Sequence, residues 1–196
     1  PAGPKSYRSS VRLWNLESGK TLHELPIYSV ATLSFSPDGK FLVSGHHGGE
    51  IRFWDVATGK KSHEWHGRDT RVWCLAWAPD GAVLASGGES QRVRFWTPAT
   101  GKEIEASPGH SGIVQSVAFA PDGATIATAG VDRTLRFWDW ATAKELRRRD
   151  GVGDHWGLER LAYTADGKAL LSMAKGSPTA VFRQWDPATG TPTKTF

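Results

Sequence analysis

The chain of 196 residues carries 24 Lys and Arg against 20 Asp and Glu, a net charge of +4, with 39% hydrophobic residues, an ordinary globular balance. No run of 18 apolar residues is present, which excludes a transmembrane helix, and apolar residues recur along the whole length, which excludes a disordered chain. A single Cys excludes an intrachain disulfide framework and a cysteine-rich zinc module. The first residue is Pro1 rather than Met, so a natural N-terminal segment, with any targeting signal, is expected to be missing or processed.

Residues 1–26 offer one alternating segment that ends on Trp, VRLWN at 11–15, and read as two strands. The stretch 27–66 places a Pro37-Asp38-Gly39 turn before a second such segment, IRFWD, with Trp54. The same order recurs over 67–108, with Asp80 and VRFWT, and over 109–151, with Asp122 and LRFWD. Residues 152–196 repeat it less regularly, with Ala165-Asp166-Gly167 and FRQWD. The turn Asp residues step by 42, 42 and 44, and Trp14, Trp54, Trp96, Trp138 and Trp185 step by 40, 42, 42 and 47. Two markers in one register define a repeat protein.

Within the unit 109–151, the β-branched run IVQSVAFA ends at Pro121-Asp122-Gly123, where Pro sets φ and Gly supplies the positive φ of the reversal. TIATAG, TLRFWDW and, after the turn at Ala141-Thr142-Ala143-Lys144, KELRR complete four short strands. No window shows ten residues of helical periodicity, so the chain is expected to be all-β.

Units of about 42 residues, Ser-Pro-Asp-Gly-like turns, Trp-Asp at the end of the third strand and Gly109-His110 before a first strand resemble WD40 repeats, with ATGK turns of the form common in bacterial members. The resemblance implies a β-propeller segment of about four and a half four-stranded antiparallel blades: a partial blade at 1–26 and blades at 27–66, 67–108, 109–151 and 152–196. WD40 propellers usually have more blades. The chain is therefore a fragment of a longer propeller, or it closes a ring with a second copy.

The family's buried hydrogen-bonded tetrad maps onto His110, Thr128, Asp132 and Trp138. The other units carry Gly48, Ser90 and Thr179 at the Asp position and Pro26, Arg68 and Asp154 at the His position. A hydrolytic His–Asp–hydroxyl reading is rejected, because the Thr is a strand residue and no nucleophile-elbow sequence is present. Arg12, Arg52, Arg94, Arg136 and Arg183 all lie two residues before the repeat Trp, and are expected to cover blade surfaces rather than bind phosphate. Arg147-Arg148-Arg149 is expected on a solvated outer strand. His46-His47 is expected in a turn. His63 and His66 stand three apart on a strand and so face opposite sides. Cys74 is expected in the core. Neither a metal, a cofactor nor a catalytic residue is expected.

The resemblance also places exposed partner-binding positions on the face bearing the loops before strand one. These are Ser29 and Ala31, Arg71 and Trp73, Ile113 and Gln115, Gly157 and Glu159, with His47, Glu89, Val131 and Pro178 beside the tetrad Asp position. Arg71 and Trp73 stand out as residue types enriched at binding hot spots. Trp73 is either an anchor for a partner or a Trp packed between blades. Residues 175–178 form an insertion expected in a loop. The function implied is a non-enzymatic scaffold for a protein or peptide partner, with self-association as a route to a closed ring and no membrane role. An accessory propeller of a larger kinase- or protease-type enzyme is the alternative, and a nucleic-acid partner ranks third.

Overall fold

The computed structural model of the chain describes residues 10–66, 71–106, 109–153, 157–174 and 180–196. The described residues contain no helix. Strands β1 (Val11–Trp14) and β2 (Thr21–Leu25) form a two-stranded sheet, I. Sheet II contains β3 (Val30–Phe35), β4 (Phe41–His46), β5 (Glu50–Asp55) and β6 (Lys61–His66). Sheet III contains β7 (Val72–Trp77), β8 (Leu84–Gly88), β9 (Val93–Thr97) and β10 (Lys102–Ala106). Sheet IV contains β11 (Val114–Phe119), β12 (Thr125–Gly130), β13 (Leu135–Asp139) and β14 (Lys144–Arg149). Sheet V contains β15 (Arg160–Tyr163), β16 (Leu170–Ala174), β17 (Val181–Asp186) and β18 (Thr191–Thr195). Every sheet is an antiparallel meander in chain order.

The turns between first and second strands follow from their residues. Gly39, Gly81, Gly123 and Gly167 adopt φ of 70, 74, 71 and 69°, a region that a side chain disfavours. Each donates its N–H three residues back, to Ser36, Ala78, Ala120 and Thr164. The preceding Asp carboxylate accepts the next backbone N–H, from Lys40, Ala82, Ala124 and Lys168. The turn is thus closed from both sides.

The sheets stack side by side, with first strands β3, β7, β11 and β15 in successive contact along the inside. An apolar layer fills each interface. Val43, Ile51 and Phe53 of sheet II meet Val72 and Leu75 of sheet III, and Val93 and Phe95 meet Val114 and Val117 of sheet IV. Leu135 and Phe137 in turn meet Leu158 and Leu170 at sheet V. Each such side chain contributes about 1.5–3 kcal/mol on burial. The approach is close enough that a Cβ on Gly45 or Gly87 would lie 2.7 Å from Val72 or Val114. This is a segment of a β-propeller, as the resemblance implies, built from the short strands that the two-residue alternation and turn spacing lead one to expect.

The outermost faces show what a missing neighbour leaves. Leu33 and Phe35, at the positions of Leu75 and Trp77, are 43% and 54% exposed. At the other end Leu171 and Phe182, at the positions of buried Val43 and Ile51, are 41% and 49% exposed.

Candidate functional site

Each four-stranded sheet is pinned by one internal bond. Trp54, Trp96, Trp138 and Trp185 donate Nε1–H to Ser44, Ser86, Thr128 and Ser172 on the adjacent strand, at 2.8–2.9 Å. In sheet IV the bond extends into a network. His110 Nε2 lies 2.8 Å from Thr128 Oγ1, and its Nδ1 lies 2.9 Å from Asp132 Oδ1. The Asp132 carboxylate also accepts from the Ser111 amide, the Thr134 hydroxyl and Arg136. Burial works against its ionisation, yet the hydrogen bonds from His110, Ser111 and Thr134 outweigh burial and hold the carboxyl far below its ordinary value. The network is enclosed, since His110, Thr128 and Trp138 are all buried.

Sheet II holds a second histidine network that the repeat alignment does not show. His46 lies at the end of β4 and is buried, not in a turn as expected. Its Nδ1 faces the Tyr28 carbonyl at 2.9 Å and its Nε2 faces Ser44 Oγ at 2.9 Å. A carbonyl only accepts, so Nδ1 carries the proton and Nε2 accepts from Ser44, which itself receives Trp54. Burial lowers the His46 pKa, the Tyr28 carbonyl opposing and Arg52 assisting. The sequence signal is a His where sheets III and IV carry Gly88 and Gly130.

The partner-face candidates converge elsewhere, at the N-terminal ends of the inner strands. Ladder registers skip one residue between Val30 and Thr32, between Val72 and Cys74, and between Val114 and Ser116. The extra residues are Ala31, Trp73 and Gln115. A bulge of this kind re-aims its side chain, and all three line one depression of about 380 Å³ with Ile113, Val131, Glu159 and Arg160. The loop residues His47, Glu89 and Val131 are fixed alongside by N–H donation to Ser29, Arg71 and Ile113 carbonyls. His47 packs on Trp73, with ring centroids 5.2 Å apart, and Arg71 pairs with Glu89 at 3.5 Å.

Within this mouth Trp73 Nε1 and Gln115 Oε1 are buried and have no hydrogen-bond partner among the described residues. The sequence reading expects these positions to be exposed. Ser29, Arg71 and His47 are, whereas Ala31, Trp73, Ile113, Gln115, Val131, Glu89 and Glu159 are half-buried in the mouth. Gly157 is buried outright, because its α-carbon faces the Gly130 carbonyl. Arg160 joins the site without having been singled out; it follows Glu159 at the start of β15. Arg68, Asp154, residues 175–178 and Thr179 lie outside the described residues.

Four of the five arginines of the repeat row are paired within their own sheets. Arg12 faces Glu24, Arg52 faces Glu50 and Glu64, Arg94 faces Glu103, and Arg136 faces Asp132 and Glu145. Charges neutralised in this way present no continuous cationic stripe. Cys74 is buried, its Sγ directed at the Gly87 and Val114 carbonyls. Among the described residues no cluster of three His, Cys, Asp or Glu could hold a metal, and no helix is long and apolar enough to cross a membrane.

Stacked four-stranded meanders, each pinned by a Trp–hydroxyl bond, define a propeller of tryptophan repeats. Residues 18–55, 59–97 and 101–139 match the model of the "WD domain, G-beta repeat" family, and the chain belongs to the WD40 repeat family, generally one of non-catalytic protein-interaction scaffolds. Each matched segment starts before the outer strand of one sheet and ends on the third strand of the next. The human apoptotic protease-activating factor 1 is 36% identical over 72 residues, 32% of this chain and 6% of that protein. A WD repeat-containing protein of Nostoc sp. is 58% identical over 33 residues, 17% of this chain and 2% of its own length. The chain thus spans a small part of these curated relatives. Among solved structures, a chain of the mitotic checkpoint complex superposes with a TM-score of 0.83 at 25% identity, covering 95% of this chain and 60% of that one. The structure of U3-55K superposes at 0.75 and 21% identity, over 86% and 51%.

Proposed function

We propose that the chain is a non-enzymatic scaffold that holds a protein or peptide partner at the mouth built by Trp73, Ile113, Gln115 and Glu159. The observation that carries this reading is the pair of polar atoms left without partners there, Trp73 Nε1 and Gln115 Oε1. An unsatisfied buried donor or acceptor costs about 1–3 kcal/mol. A peptide backbone offers both a carbonyl and an N–H, and a side-chain rotamer shift of the kind common at interfaces brings Trp73 and Gln115 to meet them. Glu159 and Arg160 add opposite charges that orient the partner. The test is selection of peptides from a displayed random library on the wild-type chain. Selected peptides should lose at least about tenfold in affinity, some 1.4 kcal/mol, on Trp73→Ala; equal binding to that variant refutes the site. A nucleic-acid ligand would instead show an affinity falling steeply with salt.

A second reading, a propeller accessory to a larger kinase- or protease-type protein, draws on the human relative, a protease-activating factor by name, of which only 6% is matched. In either setting the exposed pairs Leu33/Phe35 and Leu171/Phe182 are faces for further blades or for a second copy that closes the ring.

A further inference from the structure

The opposite ends of the inner strands, four residues or about 13 Å along β7 from Trp73, carry three equivalent grooves between neighbouring sheets, each filled differently. Between sheets III and IV the groove is plugged by Trp140. Its indole packs between Phe95 and Phe119, with centroids 6.1 and 6.4 Å away, and its Nε1–H donates to the Gly123 carbonyl at 2.7 Å. Between sheets IV and V the Trp140 position is Pro187, and Arg147 reaches across, donating to the Pro187 carbonyl at 3.0 Å and leaving a cavity of about 330 Å³. Between sheets II and III the Trp140 position is Pro98 and the Arg147 position is His63. Here the groove is wider, with a volume of about 510 Å³ and an aromatic lining.

Its walls correspond in position to those of the Trp140 site one sheet further on: Phe53 stands for Phe95, Trp77 for Phe119 and Gly81 for Gly123, and all three line the cavity with Phe41 and His63. Phe53 and Trp77 touch edge to face at 6.1 Å and His63 stacks on Phe53 at 4.1 Å, so an entering ring lies against this aromatic cluster from the cavity side. Two buried nitrogens face it, His63 Nε2 and Trp77 Nε1, and the Trp77 nitrogen has no hydrogen-bond partner among the described residues. Burial lowers the His63 pKa, with the Pro98 carbonyl opposing. The rim carries the Asp38 and Asp80 carboxylates. Lys40 lies 3.3 Å from Asp38, while Asp80 has no cationic partner among the described residues.

We propose that this groove is a receptor for the tryptophan side chain of a peptide partner whose neighbouring residue is cationic. The indole takes the place that Trp140 fills internally and donates to the Gly81 carbonyl, and the cationic neighbour meets Asp80. This is a second binding site, on the face opposite the mouth, and does not depend on the reading given to Trp73.

The probe is the peptide acetyl-Lys-Trp-Lys-amide carrying 5-fluorotryptophan, titrated with the full chain and followed by fluorine NMR. Saturable binding with a Kd on the order of 1 mM or tighter is expected for a ligand of this size. Pro98→Trp fills the groove from within and should weaken binding about tenfold or more. Phe41→Thr, which installs the residue found at Thr125 in sheet IV, should weaken it without needing a new ring to fit. Trp73→Ala should leave it unchanged. The proposal is overturned by absence of saturable binding, by equal binding of the same peptide with Ala in place of Trp, by wild-type affinity in both groove variants, or by loss of binding in Trp73→Ala alone.

Discussion

Removing the hydroxyl that receives each repeat Trp tests whether His46 and His110 share one structural role. Ser44, Ser86, Thr128 and Ser172 are all buried to 3% exposure or less, so burial does not distinguish them. Ser86→Ala and Ser172→Ala each strand one indole N–H, that of Trp96 or Trp185. Ser44→Ala strands Trp54 Nε1 and His46 Nε2, and Thr128→Val strands Trp138 Nε1 and His110 Nε2. At about 1–3 kcal/mol for each stranded group, the first two variants should lose about 1–3 kcal/mol and the second two about 2–6 kcal/mol. The difference of about 1–3 kcal/mol corresponds to roughly 2–12 °C in Tm, at about 2–4 °C per kcal/mol for a chain of this size. Urea unfolding followed by tryptophan fluorescence measures it, with the m-value checking that the unfolded ensemble is unchanged. Four losses agreeing within about 0.5 kcal/mol, the usual error of additivity, would refute the coupling of histidine to hydroxyl.

Asp132, whose pKa is depressed on folding, contributes stability that is complete above its unfolded value of about 3.9 and is lost as pH falls through the folded value. The stability gap between wild type and Asp132→Asn should therefore narrow between pH 7 and pH 3, and a constant gap in urea midpoints would contradict it. Trp140→Ala should cost about 2–4 kcal/mol, because it empties a half-buried aromatic plug and loses a hydrogen bond; thermal melts comparing it with wild type decide this. Light scattering across a concentration series should show the 196-residue chain associating through its exposed end faces. Replacing Phe35 and Phe182 together by Ser should reduce the association, and an unchanged mass distribution would show that these faces are not in contact.

How far the sequence reaches depends on whether a feature repeats. The Pro-Asp-Gly turns and the strand-ending Trp residues recur at near-constant steps, and each acts locally, through a positive φ at Gly81 or alternation along β9. Such features are legible from one chain, and so is the all-β architecture. His110, Thr128, Asp132 and Trp138 stand at family offsets, and the structure joins them by hydrogen bonds. His46 was hidden because it replaces a backbone-permissive Gly, reaching Ser44 from the same strand rather than from the preceding loop. The exchange of Trp140 for Pro98 was hidden for another reason: its effect appears only where sheets II and III meet, at the cavity lined by Phe53 and Trp77. The bulges that turn Trp73 and Gln115 into one mouth are ladder irregularities that alternation alone does not locate.

The offset between repeat and sheet bears on how such a gene can grow. Each 42-residue unit codes for the outer strand of one sheet followed by the inner three of the next. An unequal crossover that duplicates one unit therefore inserts a complete sheet's worth of strands while leaving no sheet of the product short of its edge. The newly joined sheet is a hybrid, with its edge strand inherited from one ancestor and its interior from another. Because each sheet touches mainly its two neighbours, the product must fit only at those two seams, and divergence at a single position such as Pro98 or Trp140 can then give each seam its own character.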